Sequence, residues 1–107
     1  MKSSIILSAA LSAALLSVSA HANEDAIANG GALAQAKGCA GCHGMDGIGI
    51  APTFPNLAGQ HRTYLTEQLQ HYRSGYRVNA MMNPQAAGLS DQEIFDLSAY
   101  YASQRQP

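Results

Sequence analysis

The sequence predicts a small all-α protein of three to four short helices. Three segments carry apolar residues at the steps of three and four that indicate amphipathic helices, and no segment alternates as a half-buried strand does. Residues 44–60 hold too many glycines and prolines for regular structure and are predicted to form a loop. A chain of 107 residues with a net charge of −1 fits one domain with a small core.

The first predicted helix begins at Asn23 and ends near Lys37. Asparagine is a favourable N-cap, and the two acidic residues that follow suit the positive end of a helix dipole. The pair Gly30–Gly31 lies in the middle of this helix and costs roughly 1 kcal/mol per glycine relative to alanine. This cost suggests that another helix approaches closely there; simple fraying is the alternative.

Two further helices are predicted after the loop. One spans about His61 to Ser74 and ends at Gly75, with an apolar stripe formed by Tyr64, Leu65, Leu69, Tyr72 and Tyr76. The other begins at a capping box, in which Ser90 is the N-cap and Glu93 reaches back to it. Its apolar positions follow the same helical spacing, and it is expected to fray near Gln104.

The segment Cys39-Ala40-Gly41-Cys42-His43 is a C-x-x-C-H motif, which is typical of covalent haem attachment. Each thiol can add to one vinyl group at the edge of a haem, and the adjacent imidazole then lies under the ring and can bind the iron. Few other chemistries require these three residues in this order. The motif therefore indicates haem c as cofactor and electron transfer as function.

Other interpretations of the two cysteines fit less well. A structural zinc site needs four ligands, usually two separated pairs, and His61 and His71 lack the spacing of a zinc finger. A thioredoxin-like redox pair follows a strand in a βαβ unit, a pattern that is missing before Cys39. A plain disulfide would be strained and would leave His43 unexplained.

The N-terminus resembles a secretory signal peptide. Lys2 supplies a positive start, an apolar stretch follows, and Ala20-His21-Ala22 is an A-x-A cleavage site. Residues 1–22 are therefore predicted to be cleaved and residues 23–107 to form the mature domain in the periplasm; an uncleaved anchor is the alternative. The mature chain would carry five basic and seven acidic residues, without the basic stripe of a nucleic-acid-binding protein and without a second membrane-span pattern.

An electron-carrying haem iron needs a second axial ligand opposite His43. Met45 is too close to His43 in sequence to reach the other face of the ring, and His61 and His71 are expected on the surface of the middle helix. The pair Met81–Met82 lies between two predicted helices, in a stretch next to Asn and Pro that is expected to be a loop. This position makes core filling, the usual role of methionine, less plausible than iron ligation.

Taken together, these features resemble a class I c-type cytochrome, and most closely one domain of the dihaem cytochromes of the c-four type or their single-haem relatives. The resemblance covers nearly all of residues 24–105. It rests on the haem motif, on the segments 55–60 and 64–77, and on Met81–Met82 followed by Leu89-Ser90-Asp91. It implies the class I cytochrome c fold, with three to four short helices and loops wrapped around one covalently bound haem.

The resemblance also implies the roles of individual residues. Cys39 and Cys42 match the thioether cysteines and His43 the proximal ligand. Met82 matches the distal ligand, seven positions before Leu89, and Met81 is the alternative.

Further roles concern the surroundings of the haem. Pro55 matches the proline whose carbonyl accepts a hydrogen bond from the proximal histidine, and Gly31 and either Tyr100 or Tyr101 match the crossing of the first and last helices. As a separate hypothesis, Arg73 or Arg77, four residues apart, pairs with a haem propionate; a solvated helix end is the alternative.

The expected function is one-electron transfer by a periplasmic carrier that is not an enzyme. Other redox proteins would dock transiently at the haem edge, near the haem motif and the apolar residues 48–51. The alternative for Ile48 and Ile50 is that their side chains pack inward on the haem. Two alternatives remain: a permanent cytochrome subunit of a larger oxidoreductase, and a haem enzyme or gas sensor.

Overall fold

The computed structural model describes residues 20–107, and over this range it is helical without strands. The helices are α1, described over residues 20–36, α2 (Ala40–His43), α3 (Arg62–Ser74), α4 (Met82–Ala87) and α5 (Asp91–Ser103). The all-α prediction is confirmed. Most of the predicted signal peptide, residues 1–19, lies outside the described residues. None of the described helices is both long enough and apolar enough to cross a membrane.

The predicted start of α1 at Asn23 does not hold in the full-length chain, because residues 20–22, which the predicted cleavage would remove, are already helical there. Alanine is the strongest helix former, and two of these three residues are alanines, so the helix continues through Asn23. The Asn23 side chain does not act as a cap; its Oδ1 accepts a hydrogen bond of 3.3 Å from Arg62 Nη1. At the other end, α1 stops at residue 36, one residue before the predicted limit, and Gly38 follows with a φ of 81°.

The boundaries of α3 and α5 agree with the predictions. α3 ends at Gly75, whose left-handed conformation closes the helix: the Gly75 N–H donates a hydrogen bond to the Tyr72 carbonyl. α5 begins at the predicted capping box: Glu93 N donates to Ser90 Oγ at 3.1 Å, and Ser90 N donates to Glu93 Oε1 at 3.0 Å. The Ser90 amide is the main cause of the lowered pKa of the Glu93 carboxyl. The stabilisation linked to this shift is present above the unfolded-state pKa and is lost as the pH falls through the folded-state value.

Helix α4 corrects the expectation that Met81 and Met82 lie in a loop. Met81 is the N-cap, and Met82 is the first residue of the helix. The Met81 side chain makes no capping hydrogen bond. The Asn79 side chain takes this role from two residues earlier, because its Oδ1 accepts from the backbone amides of both methionines at 2.9 Å. Pro84 is tolerated because it lies in the first turn, where a helix has no intrahelical acceptor for the amide.

The core is formed where α5 packs against α3, with α4 packed beside α3. Its buried members come from four of the five helices and the segment before α5: Ala34, Leu65, Ala86, Leu89, Ile94, Leu97 and Tyr101. The predicted stripe on α3 holds at Leu65, Leu69 and Tyr72, which contribute to this core. Tyr64 is 46% exposed because the protein's own helices cover only one side of α3, whereas Tyr76, which is 82% exposed, lies beyond the end of the helix at Gly75.

The two central glycines of α1 lie at the crossing with α5. A Cβ on Gly30 would overlap the Asp96 carbonyl oxygen and lie 2.6 Å from the Tyr100 Cβ. A Cβ on Gly31 would lie 2.9 Å from the Tyr100 ring. The cost of these glycines to α1 is therefore offset by a close helix–helix contact, and Gly30 is the tighter of the two positions.

Candidate haem-binding site

The cysteines and the histidine of the motif are brought together by the short helix α2. Cys39 is its N-cap residue, and Cys42 and His43 form its last turn. Both thiols are free and half-buried, and burial raises the pKa of the Cys39 thiol. His43 is buried, with 8% of its surface exposed. Free thiols one helical turn apart with an adjacent buried imidazole fit covalent haem attachment.

Residues 20–107 contain no group of three or more His, Cys, Asp and Glu side chains placed to hold a metal ion.

The orientation of the His43 ring is fixed by one hydrogen bond. Its Nδ1 lies 2.9 Å from the carbonyl oxygen of Pro55. A carbonyl can only accept, so Nδ1 carries a proton, and in the neutral imidazole the lone pair is then on Nε2. That lone pair is the donor an axial haem ligand must offer, and a carbonyl on the opposite nitrogen is the usual outer partner of a metal-bound histidine. The residues present therefore fit a haem iron on the Nε2 side.

The loop that carries Pro55 is cross-linked by backbone hydrogen bonds. Ile50 N donates to the Cys42 carbonyl at 3.0 Å, and Leu57 N donates to the Gly47 carbonyl at 2.7 Å. The tip of the loop encloses an open cleft of about 550 Å³, lined by Ile48, Gly49, Ile50, Ala51, Pro52, Phe54, Pro55 and Asn56. Ile50 is 66% exposed and Ile48 is half-buried. Whether either isoleucine packs on the haem stays a prediction.

The two candidate distal ligands differ in exposure. Met82 is half-buried at the start of α4, whereas Met81 is 55% exposed. Sequence reasoning missed the asparagines that hold this segment. Asn79 binds both methionine amides, and Asn83 Nδ2 donates to the carbonyls of Tyr72 and Arg77 at the end of α3 and just beyond it. The available signal was the pair of asparagines around the methionines, since Asn commonly hydrogen-bonds nearby backbone in turns.

The remaining candidate ligands lie elsewhere. Met45 is 43% exposed, two residues after His43, and His61 is the exposed N-cap residue of α3. The His71 ring lies 4.8 Å from the Tyr76 ring and contacts Glu67 on the same helix.

The two arginines proposed for the propionates have protein partners. Arg73 Nη2 binds Asp91 Oδ1 at 2.7 Å and its Nη1 donates to the Leu89 carbonyl at 3.1 Å. Arg77 Nη1 donates to Gln68 Oε1 at 2.8 Å, and the Arg77 guanidinium lies over the Tyr72 ring. Arg73 therefore has a structural role between α3 and α5, and the propionate contact stays a prediction for both residues.

We expect Arg77→Gln to lower the midpoint potential, because loss of a positive charge beside a propionate favours the ferric state. Arg73→Gln is expected to cost about 1 kcal/mol in the free energy of unfolding through its lost contacts. Redox titration over a range of pH, with denaturant unfolding of the same samples, measures both. If neither variant shifts the midpoint or its pH dependence, the propionate contact is wrong.

A family model described as cytochrome c matches residues 27–104 of the chain. The chain belongs to the cytochrome c family. It is a class I c-type cytochrome with an all-α fold, and its Cys39-x-x-Cys42-His43 motif indicates covalent haem c as its cofactor. As a member of this family it is an electron carrier.

Named relatives support the same assignment. The chain is 52% identical over 69 residues to cytochrome c-554(548) of Halomonas halodenitrificans, covering 62% of this chain and 83% of the relative. It is 44% identical over 86 residues to cytochrome c4 of Pseudomonas aeruginosa, covering 80% of this chain and 41% of the relative. A solved cytochrome c4 structure from Pseudomonas stutzeri superposes with a TM-score of 0.69 at 33% identity, covering 77% of this chain and 50% of the other. This cytochrome thus spans half or less of the length of its cytochrome c4 relatives.

Proposed function

We propose that this cytochrome is a single-haem carrier that passes one electron between redox proteins, with His43 and Met82 as the axial ligands of the iron. The observation that carries the proposal is the hydrogen bond from His43 Nδ1 to the Pro55 carbonyl, which leaves Nε2 free beside the two thiols. When bound, the haem supplies a ferrous–ferric couple. The proposed carrier changes no substrate bond and is not itself an enzyme.

The protein's contribution to this function is to hold the two ligands in place. The bond to Pro55 fixes the ring plane and tautomer of His43 and raises its basicity as a ligand. The Asn79 bonds fix the backbone that presents Met82. A Met/His pair raises the reduction potential. These contacts support a carrier that changes oxidation state with little rearrangement.

We propose that redox partners dock at the haem edge, on the surface formed by the haem motif and residues 48–51 of the loop. Ile50 is exposed there, and Asp46 is the only charged residue between His43 and His61. A small apolar contact with few ion pairs suits the weak, transient encounters of redox proteins. The protein partners would be recognised by apolar complementarity, and nucleic acid is not expected as a partner.

We further propose that the mature protein is periplasmic and consists of residues 23–107. The predicted cleavage after Ala22 would leave intact the whole of residues 27–104, which match the family. The motif is consistent with this location, since c-type maturation takes place outside the cytoplasm in the family it resembles.

Expression in a host able to mature c-type cytochromes tests the proposal. Acid–acetone extraction should leave the haem on the polypeptide, and the mass should equal residues 23–107 plus one haem. Cys39→Ala with Cys42→Ala should abolish covalent attachment, while Ser103→Ala, at an exposed position on α5, should retain it. Haem released from the wild-type chain would contradict the proposal.

A second candidate is a dedicated electron acceptor, or a permanent subunit, of a sulfur-oxidising dehydrogenase. A relative from Stutzerimonas stutzeri, 44% identical over 94 residues, is named thiosulfate dehydrogenase electron acceptor; the alignment covers 85% of this chain and 44% of that protein. Size-exclusion chromatography of native extract separates the possibilities. A free carrier elutes at the size of the mature chain, and a subunit elutes in a larger complex.

A further inference from the structure

Two adjacent tyrosines of α5 reach the backbone that directly follows His43. The Tyr101 hydroxyl donates to the Gly44 carbonyl at 3.2 Å, and the Tyr100 hydroxyl donates to the Met45 carbonyl. The donors and acceptors are more than 50 residues apart in sequence. Two hydroxyls on consecutive carbonyls fix both the position and the direction of this stretch of chain.

The same end of α5 also holds the far end of the loop. Gly59 N donates to the Tyr101 carbonyl at 3.0 Å, and Gln106 Nε2 donates to the Gly59 carbonyl at 3.3 Å. Residues 44–59 are therefore attached to α5 at both ends. Pro55, which accepts from His43, lies between the two attachments.

Packing within the protein restrains the side chains of both tyrosines. Tyr101 is 3% exposed, and its ring packs edge-on against the Tyr100 ring at 5.1 Å. Tyr100 is half-buried against the α1 crossing at Gly31. Burial raises the pKa of the Tyr101 hydroxyl, so it is protonated and able to donate at neutral pH.

We infer that Tyr100 and Tyr101 are positioning residues that, by anchoring the loop to α5, keep the Pro55 carbonyl on His43 Nδ1. The loop is also held by backbone hydrogen bonds, from Ile50 N to the Cys42 carbonyl, from Leu57 N to the Gly47 carbonyl and from Gly59 N to the Tyr101 carbonyl, but among these three none acts on the carbonyls of residues 44 and 45. Loss of a hydroxyl lets the segment after His43 move relative to Pro55. The histidine bond then opens more often, although the tyrosine ring still fills its place.

Tyr101→Phe and Tyr100→Phe test the inference in the full holoprotein, with Tyr76→Phe as the matched control. Tyr76 is 82% exposed, and its hydroxyl has no hydrogen-bond partner among the described residues. The measurement is solvent exchange of the His43 Nδ1 proton by NMR on 15N-histidine-labelled protein, alongside denaturant unfolding.

We expect each of the first two changes to speed exchange about five- to tenfold, as the loss of one hydrogen bond implies. The increase should exceed any change in the global unfolding constant, and the control should leave exchange unchanged. Exchange that stays at the wild-type rate in both variants, or that rises only in proportion to global unfolding, overturns the inference. Should Tyr101→Phe fail to fold, the half-buried Tyr100→Phe decides the matter alone.

The inference rests on the proposed role of His43 as the proximal ligand, and the two can fail separately. A wild-type spectrum without a histidine-ligated haem would refute the ligand. Normal wild-type ligation with unchanged exchange in the variants would refute only the positioning role.

Discussion

Met82→Ala is expected to abolish the weak red-end absorption of the ferric protein that marks a Met–iron bond. It should also lower the midpoint potential, since the thioether favours the ferrous state. The ferrous iron should then bind carbon monoxide to near completion, because its sixth position is open. Optical spectra of both oxidation states, with and without carbon monoxide, measure these effects.

Met81→Ala is the matched control for this prediction. Its side chain is 55% exposed, and the band should survive its removal with the potential nearly unchanged. Loss of the band in Met81→Ala and its retention in Met82→Ala would exchange the roles of the two residues. A wild-type ferrous protein that binds carbon monoxide readily would favour a gas sensor or haem enzyme over the carrier.

Gly30→Ala is expected to destabilise the protein by about 2 kcal/mol, in spite of the better helix propensity of alanine. The added methyl group meets the Asp96 backbone carbonyl, which cannot rotate away as a side chain can. The helices must therefore separate, with loss of packing at the Tyr100 ring. Guanidinium unfolding of the holoprotein, followed by helical circular dichroism, gives the change in free energy.

Gly88→Ala serves as the comparison for Gly30. A Cβ at position 88 meets no atom within 4 Å, and the φ of −91° is open to alanine. We expect a change smaller than about 0.5 kcal/mol, as is usual for surface substitutions. Stability in Gly30→Ala equal to or above wild type would show that α1 and α5 do not cross at this residue.

The sequence by itself determined the features that depend on local chemistry. The haem motif, the capping box at Ser90 and the glycine that ends α3 are recognisable because each needs particular residues at a fixed short spacing. The all-α class followed from the apolar periodicity of three segments. These predictions required no knowledge of what any helix packs against.

Other features were decided by contacts between distant parts of the chain. Asn23 has the chemistry of a cap, yet it lies inside α1 and binds Arg62, 39 residues away. The apolar stripe predicted for α3 included Tyr64 and Tyr76, and both are exposed, since helical spacing does not show how wide a face the neighbouring helices cover. The α4 helix was missed because six residues are too few for a periodic signal, and its start depends on Asn79 outside it.

The site shows the same division. Sequence supplied the identities of His43 and Pro55, but only the folded chain brings the ring within 2.9 Å of that carbonyl. The hydrogen bonds that attach the loop to Tyr100 and Tyr101 join residues more than 50 positions apart, so no short sequence motif predicts them. Local hydrogen bonds depend on residues that are neighbours in sequence, so a sequence pattern can predict them. The position of the loop 44–60 depends instead on where α5 packs once the core has formed.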